Sequence, residues 1–162
     1  MVVVVDMIRL LVLDVEGVLT LPGGSQTPWP LEGLLRVRDF LKKESLVCVL
    51  CTGRQEPYGE AVIQALDLFF PFPAAKAARF EKASGVPLTS YPSVFENGAY
   101  FYDPMAKRPI PNPMLTTEQQ HRLQNMRATV VSQLVERTGC QVEPGKDFCV
   151  SLNPPFEMGS ST

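Results

Sequence analysis

Two apolar runs without regular polar alternation constrain this chain more than any other feature. One extends from about Ile8 to Asp14, and the other is "LVCVLCTG", from Leu46 to Gly53. A strand with one solvated face alternates apolar and polar residues, whereas a continuously apolar strand suits a parallel sheet covered on both faces. Each run is followed by a segment of helical period. Beyond a loop rich in Gly and Pro, "LPGGSQTPWP", the stretch "LEGLLRVRDFLKKES" sets Leu34, Val37, Phe40 and Leu41 at helical spacing. "QEPYGEAVIQALDLFF" does the same with Ala61, Ile63, Ala65, Leu66 and Phe69, and carries Pro57 near its start, where proline is tolerated. This alternation over the first hundred residues predicts an α/β fold: a Rossmann-like parallel sheet core with helices on both faces.

The later segments read differently. From Pro71 to Pro92, "AAKAARFEKA" has helical character, but the flanking prolines also allow a loop with one or two helical turns. "SVFENGAYFYD" predicts strand, turn and strand, with Asn97-Gly98 as the turn signal. The proline-rich "DPMAKRPIPNP" is taken as a boundary. "TTEQQHRLQNMRATVVSQLVERTG" then predicts one long amphipathic helix, opened by a Thr-x-x-Gln cap and closed by Gly139. Two short strands are expected after it, Cys140 to Glu143 and Asp147 to Leu152, joined by "PGK". The expected division is a core over residues 1–104 and a partial α+β domain over residues 105–162. The ending "NPPFEMGSST" follows a strand directly, so the second domain is expected to be incomplete.

Composition narrows the function classes. With 162 residues, 45% of them hydrophobic, and a formal net charge of −2, the chain can bury a real core. It has no basic excess that would make nucleic acid its partner, and no basic amphipathic stretch for a membrane surface. "MVVVVDMIRLLVLD" is broken by Asp6 and Arg9 and has no basic leader or cleavage site, so it is not read as a signal peptide. Nothing approaches the roughly 18 continuous apolar residues of a membrane span. A cytoplasmic location is expected. Cys48 and Cys51 have CxxC spacing, but residues three apart on a strand face opposite ways, so they are read as reduced core cysteines. The single histidine, His121, lies in a polar helical stretch and is read as a surface residue.

Chemistry concentrates where the apolar runs end. Asp14 and Glu16 close the first strand just before Gly17, at the sheet edge where open α/β proteins bind ligands. Two carboxylates one residue apart suit a nucleophile with a nearby proton donor, or half of a magnesium site. They also suit a solvated turn. The second run ends in Thr52, Gly53 and Arg54: a hydroxyl, an approachable backbone N–H and a charged fork, together fit for a phosphate oxygen. A helix cap and a turn glycine would use the same residues. Taken together, the two ends form the layout of phosphoryl transfer through an aspartyl phosphate.

"DVEGVLT" resembles the first motif of the haloacid dehalogenase superfamily, DxDGT or DxDGV, and "LCTGR" resembles its second. "FENGAYFYDP" is similar to the "ENGA" hairpin of the subgroup of sugar phosphatases with a large α/β cap. The resemblance covers about residues 8–104. It implies Asp14 as nucleophile and Mg2+ ligand, Glu16 as general acid/base with its main-chain carbonyl on Mg2+, and Thr52 with the Gly53 amide as the phosphate holders. Asn97 would shape the edge of the site, and Arg54 would contact substrate. The implied activity is Mg2+-dependent hydrolysis of a small phosphorylated metabolite, with a sugar phosphate the expected class. A non-catalytic phosphate-binding module and a phosphosugar mutase are the alternatives. The sequence departs from the family twice. Glu16 stands where the family has Asp, and the later Lys and acidic-pair motifs have no counterpart here: Lys76 and Lys82 are read as exposed helical lysines, and Glu157 stands alone.

Overall fold

A computed structural model describes residues 10–21 and 28–153. The expectations for Ile8 and Arg9, for the middle of the Gly/Pro-rich loop and for the terminal residues including Glu157 lie outside the described residues. Both apolar runs form strands. β1 (Leu10–Leu13) and β2 (Val47–Leu50) pair in parallel, with Leu10 opposite Val47 and Leu13 opposite Leu50. Parallel neighbours need a crossover, and α1 (Leu31–Lys43) supplies part of it, burying Leu34 and Leu41 one helical stripe apart. Phe40 falls beside that stripe and stays 52% exposed.

After β2 comes α2 (Glu56–Leu66), which buries Gly59, Val62, Ile63 and Leu66, a stripe of helical period. Gly59 is required by space: a Cβ there would run into the Phe95 ring. α3 (Ala74–Ser84) forms a full helix between the prolines, ended by Gly85 in the left-handed conformation, and buries none of its residues. Lys76 and Lys82 are exposed on it.

The expected strand–turn–strand is present as β3 (Ser93–Phe95) and β4 (Tyr100–Asp103), paired antiparallel. The proline-rich stretch read as a boundary contains β5 (Arg108–Pro111), paired antiparallel with β4. Proline cannot donate to a ladder and is therefore confined to sheet edges; Pro109 and Pro111 sit on the outer strand of this three-stranded sheet. A single parallel bridge between Cys51 and Val94 links the two sheets. The Leu50 N–H donates to Ser93 Oγ at 3.1 Å, and the Thr52 N–H to the Val94 carbonyl at 2.9 Å.

The fold is therefore mixed α/β, with four α-helices and a small parallel sheet among the described residues. Along β1, Leu10 and Val12 are 46% and 55% exposed, while the alternate residues Leu11 and Leu13 are partly buried. Among the described residues β1 pairs only with β2. The core lies further in, on Leu50, Ile63, Leu66, Phe95 and Tyr102, with the Phe95 ring 5.7 Å from Tyr100 and 5.8 Å from Tyr102.

The chain divides into two compact units, Met1–Pro113 and Met114–Thr162. In the second, α4 (Thr117–Thr138) opens with a reciprocal capping box between Thr116 and Gln119, and Gly139 ends it in the left-handed conformation. β6 (Gln141–Val142) and β7 (Leu152–Asn153) pair antiparallel. Between them the buried Lys146 donates to Ser151 and pairs with Glu143 at 3.0 Å. His121 is exposed. No helix among the described residues is long and apolar enough to cross a membrane.

Candidate active site

The register of the parallel pair sets the ends of β1 and β2 side by side. The Cys51 N–H donates to the Leu13 carbonyl at 2.8 Å, so Asp14 and Thr52 begin neighbouring loops at one sheet edge. Asp14 is exposed, and its carboxylate accepts the Val15 N–H at 2.7 Å. The chain then folds back on itself. The Val15 carbonyl accepts both the Leu19 and Thr20 N–H groups at 2.9 Å, and the Gly17 N–H donates to the Thr20 carbonyl at 2.7 Å. Gly17 stands at φ +74° with open space around it, so backbone conformation and not crowding demands the glycine.

This small turn carries Glu16 toward the second loop, where its carboxylate pairs with the Arg54 guanidinium. The two residues lie 38 positions apart in sequence. Arg54 is the more deeply set of the two, its side chain 10% exposed against 38% for Glu16. Its guanidinium lies 5.1 Å from the centre of the Tyr58 ring, a cation–π distance. Tyr58 in turn meets Trp29 edge to face at 5.4 Å, and its hydroxyl reaches Thr20 Oγ1 at 3.5 Å. Tyr58 and Thr20 carry no weight in the sequence reading. No local signal pairs Tyr58 with Arg54, because Arg54 lies in the loop before α2 and only Tyr58 is on the helix.

The tip of the β3–β4 hairpin holds the Thr52–Arg54 loop in place. The Asn97 N–H donates to the Thr52 carbonyl at 3.3 Å, and the Glu96 N–H to the Arg54 carbonyl at 3.2 Å. Glu96, Asn97 and Gly98 all adopt positive φ, of 46°, 57° and 93°. A non-glycine residue pays on the order of 1 kcal/mol for that conformation, and these backbone bonds offset the cost. The Asn97 side chain lies directly over Gly53, where an added Cβ would stand 2.9 Å from Asn97 Oδ1. Within the loop, buried Thr52 uses its hydroxyl to accept the Arg54 N–H at 3.2 Å.

The structure thus joins Glu16 to Arg54, and joins Thr52, Gly53 and Arg54 to Asn97. Asp14 stands at the same edge, turned to its own backbone. Among the described residues, no group of three or more His, Cys, Asp or Glu side chains gathers to hold a metal. Cys48 is buried and Cys51 exposed, so the CxxC pair does not share a face. Burial pushes the Cys48 thiol from 9.0 up to about 11.

A second carboxylate, Asp103 at the end of β4, is fully buried. Burial alone would raise its pKa, but the Ser90 hydroxyl, the Thr89 N–H and hydroxyl, and the Ala106 N–H all donate to it and hold it below the ordinary carboxylate range. This network fastens the segment before β3 to the end of β4. Comparison with protein-family models, with curated proteins and with solved structures gives no significant match in any of the three.

Proposed function

We propose that the Met1–Pro113 unit is a phosphoryl-handling domain of the haloacid dehalogenase type, with a Rossmann-like core, acting on a small phosphorylated metabolite such as a sugar phosphate. The observation that carries this reading is the parallel pairing of β1 and β2, which brings the loops beginning at Asp14 and Thr52 to one sheet edge. In the proposed reaction, an Asp14 carboxylate oxygen attacks phosphorus and the ester oxygen leaves with a proton from Glu16. Water then attacks the aspartyl phosphate and gives its proton to the Glu16 carboxylate, releasing inorganic phosphate and restoring both Asp14 and Glu16. Thr52, the Gly53 N–H and Arg54 would orient the phosphate, and Asn97 would fix the loop that carries them.

Magnesium fits this reading through the exposed Asp14 carboxylate and the Glu16 carbonyl, since this ion is commonly held by one or two carboxylates together with phosphate and water. When bound, it would neutralise charge on the phosphate oxygens. A cytoplasmic location belongs to the same proposal, supported by the unbridged thiols of Cys48, Cys51 and Cys140.

The engagement of Glu16 by Arg54 favours a second reading, a non-catalytic phosphate-binding module, because a carboxylate tied to a guanidinium is not free to give a proton. Turnover of an aryl phosphate with Mg2+ separates the two. The catalytic reading expects hydrolysis that falls by more than about a thousandfold in Asp14→Ala. Tight phosphate binding without hydrolysis would select the module.

A further inference from the structure

Resting on the reading of this edge as a phosphate site, we propose that Glu16 is a latch: its carboxylate occupies the face of the Arg54 guanidinium that an incoming phosphate takes, so pairing with Glu16 and binding of phosphate exclude one another. Carboxylate and phosphate present the same pair of oxygens to a guanidinium fork, so either can satisfy it. Burying a cation is costly unless anions accompany it, and Glu16 is one anion that the protein supplies.

The two partners are not equally free to move. Arg54 is buried, stacked on Tyr58, and bracketed by backbone bonds: its N–H donates to Thr52 Oγ1 and its carbonyl accepts from Glu96. Tyr58 is itself held by Trp29 and Thr20. Glu16 is more exposed and sits in a tight turn beside Gly17, whose Cβ position is empty space. The fixed guanidinium is therefore the binding group and the carboxylate is the moving part. The extra methylene of Glu then has a purpose, since its reach carries the carboxylate away from Asp14 and across to the second loop. Phosphate on Arg54 would release the Glu16 carboxylate, which could then take a proton from solvent and pass it to the leaving ester oxygen.

The test is titration of the full chain with inorganic phosphate, followed by 31P NMR and by the fluorescence of Trp29, the single tryptophan. Glu16→Gln removes the charge, and Glu16→Asp keeps it but shortens the reach. Both are expected to bind phosphate about five- to tenfold more tightly than the unaltered protein, the yield of losing one partly exposed ion pair as competitor. Adding Arg54→Met to either variant should abolish the gain. Equal or weaker binding by Glu16→Gln overturns the latch and leaves the site reading intact. So does tightening in Glu16→Gln without tightening in Glu16→Asp, which would mark simple charge repulsion. Absence of phosphate binding in all forms, with or without Mg2+, overturns the site reading itself.

Discussion

β1 runs into Asp14 and β4 ends at Asp103, yet the first carboxylate is exposed and the second is fully buried. Asp103 is saturated by donors from Thr89, Ser90 and Ala106, and nothing can reach it. Asp14 takes one N–H from its own neighbour and faces outward beside the loop that carries Arg54. The contrast separates two uses of an acid at a strand end. One closes a loop by consuming every lone pair, and the other keeps oxygen available at an edge where loops converge.

Stability measurements sharpen this contrast most strongly. Asp103→Ala should cost about 3 kcal/mol, because it leaves buried donors without an acceptor. Asp14→Ala, at an exposed position, should stay within about 0.5 kcal/mol. Urea unfolding of the two variants checks both figures, and equal losses would break the comparison. Acid should expose the same contribution in the unaltered protein. The native Asp103 holds a proton less readily than the unfolded chain, so its contribution is complete above the ordinary carboxylate value of 3.8. It drains away as the pH falls from there through the lower native pKa. An Asp103→Asn variant should show a flatter loss of stability over that acid window.

Smaller effects test what holds the Arg54 loop. Gly59→Ala would drive a methyl group into the Phe95 ring and should cost about 2 kcal/mol by overpacking the contact between α2 and β3. A neutral result in thermal unfolding would show that α2 shifts freely. Tyr58→Leu removes the ring beneath the Arg54 guanidinium and should cost about 1 kcal/mol. No change there would mean that the ring contributes nothing to holding Arg54.

Much of the fold was legible because local signals and tertiary packing agreed. The capping box at Thr116, the closing Gly139 and the apolar runs of β1 and β2 all follow from short-range pattern. β5 was not, because prolines read locally as a break, and only pairing with β4 on one side makes Pro109 and Pro111 acceptable. The exposure of Leu10 and Val12 was hidden for a similar reason: an apolar run specifies a strand but not how many neighbours it finds. At the candidate site, the residues at both strand ends were visible as types. The Glu16–Arg54 pair was not, because a contact across 38 positions depends on where two loops meet. Asp103 passed unnoticed as a strand terminus, since no sequence pattern announces that Thr89 and Ser90 converge on it.

The central claim, that the edge at Asp14 handles phosphoryl groups, is tested most directly by trapping the covalent species. The protein is incubated with acetyl phosphate and Mg2+, quenched in acid, and digested for mass spectrometry. A phosphoryl adduct on the peptide containing Asp14, absent from Asp14→Asn, is the predicted result. An adduct that forms elsewhere and survives Asp14→Asn, or no adduct at all, would contradict it.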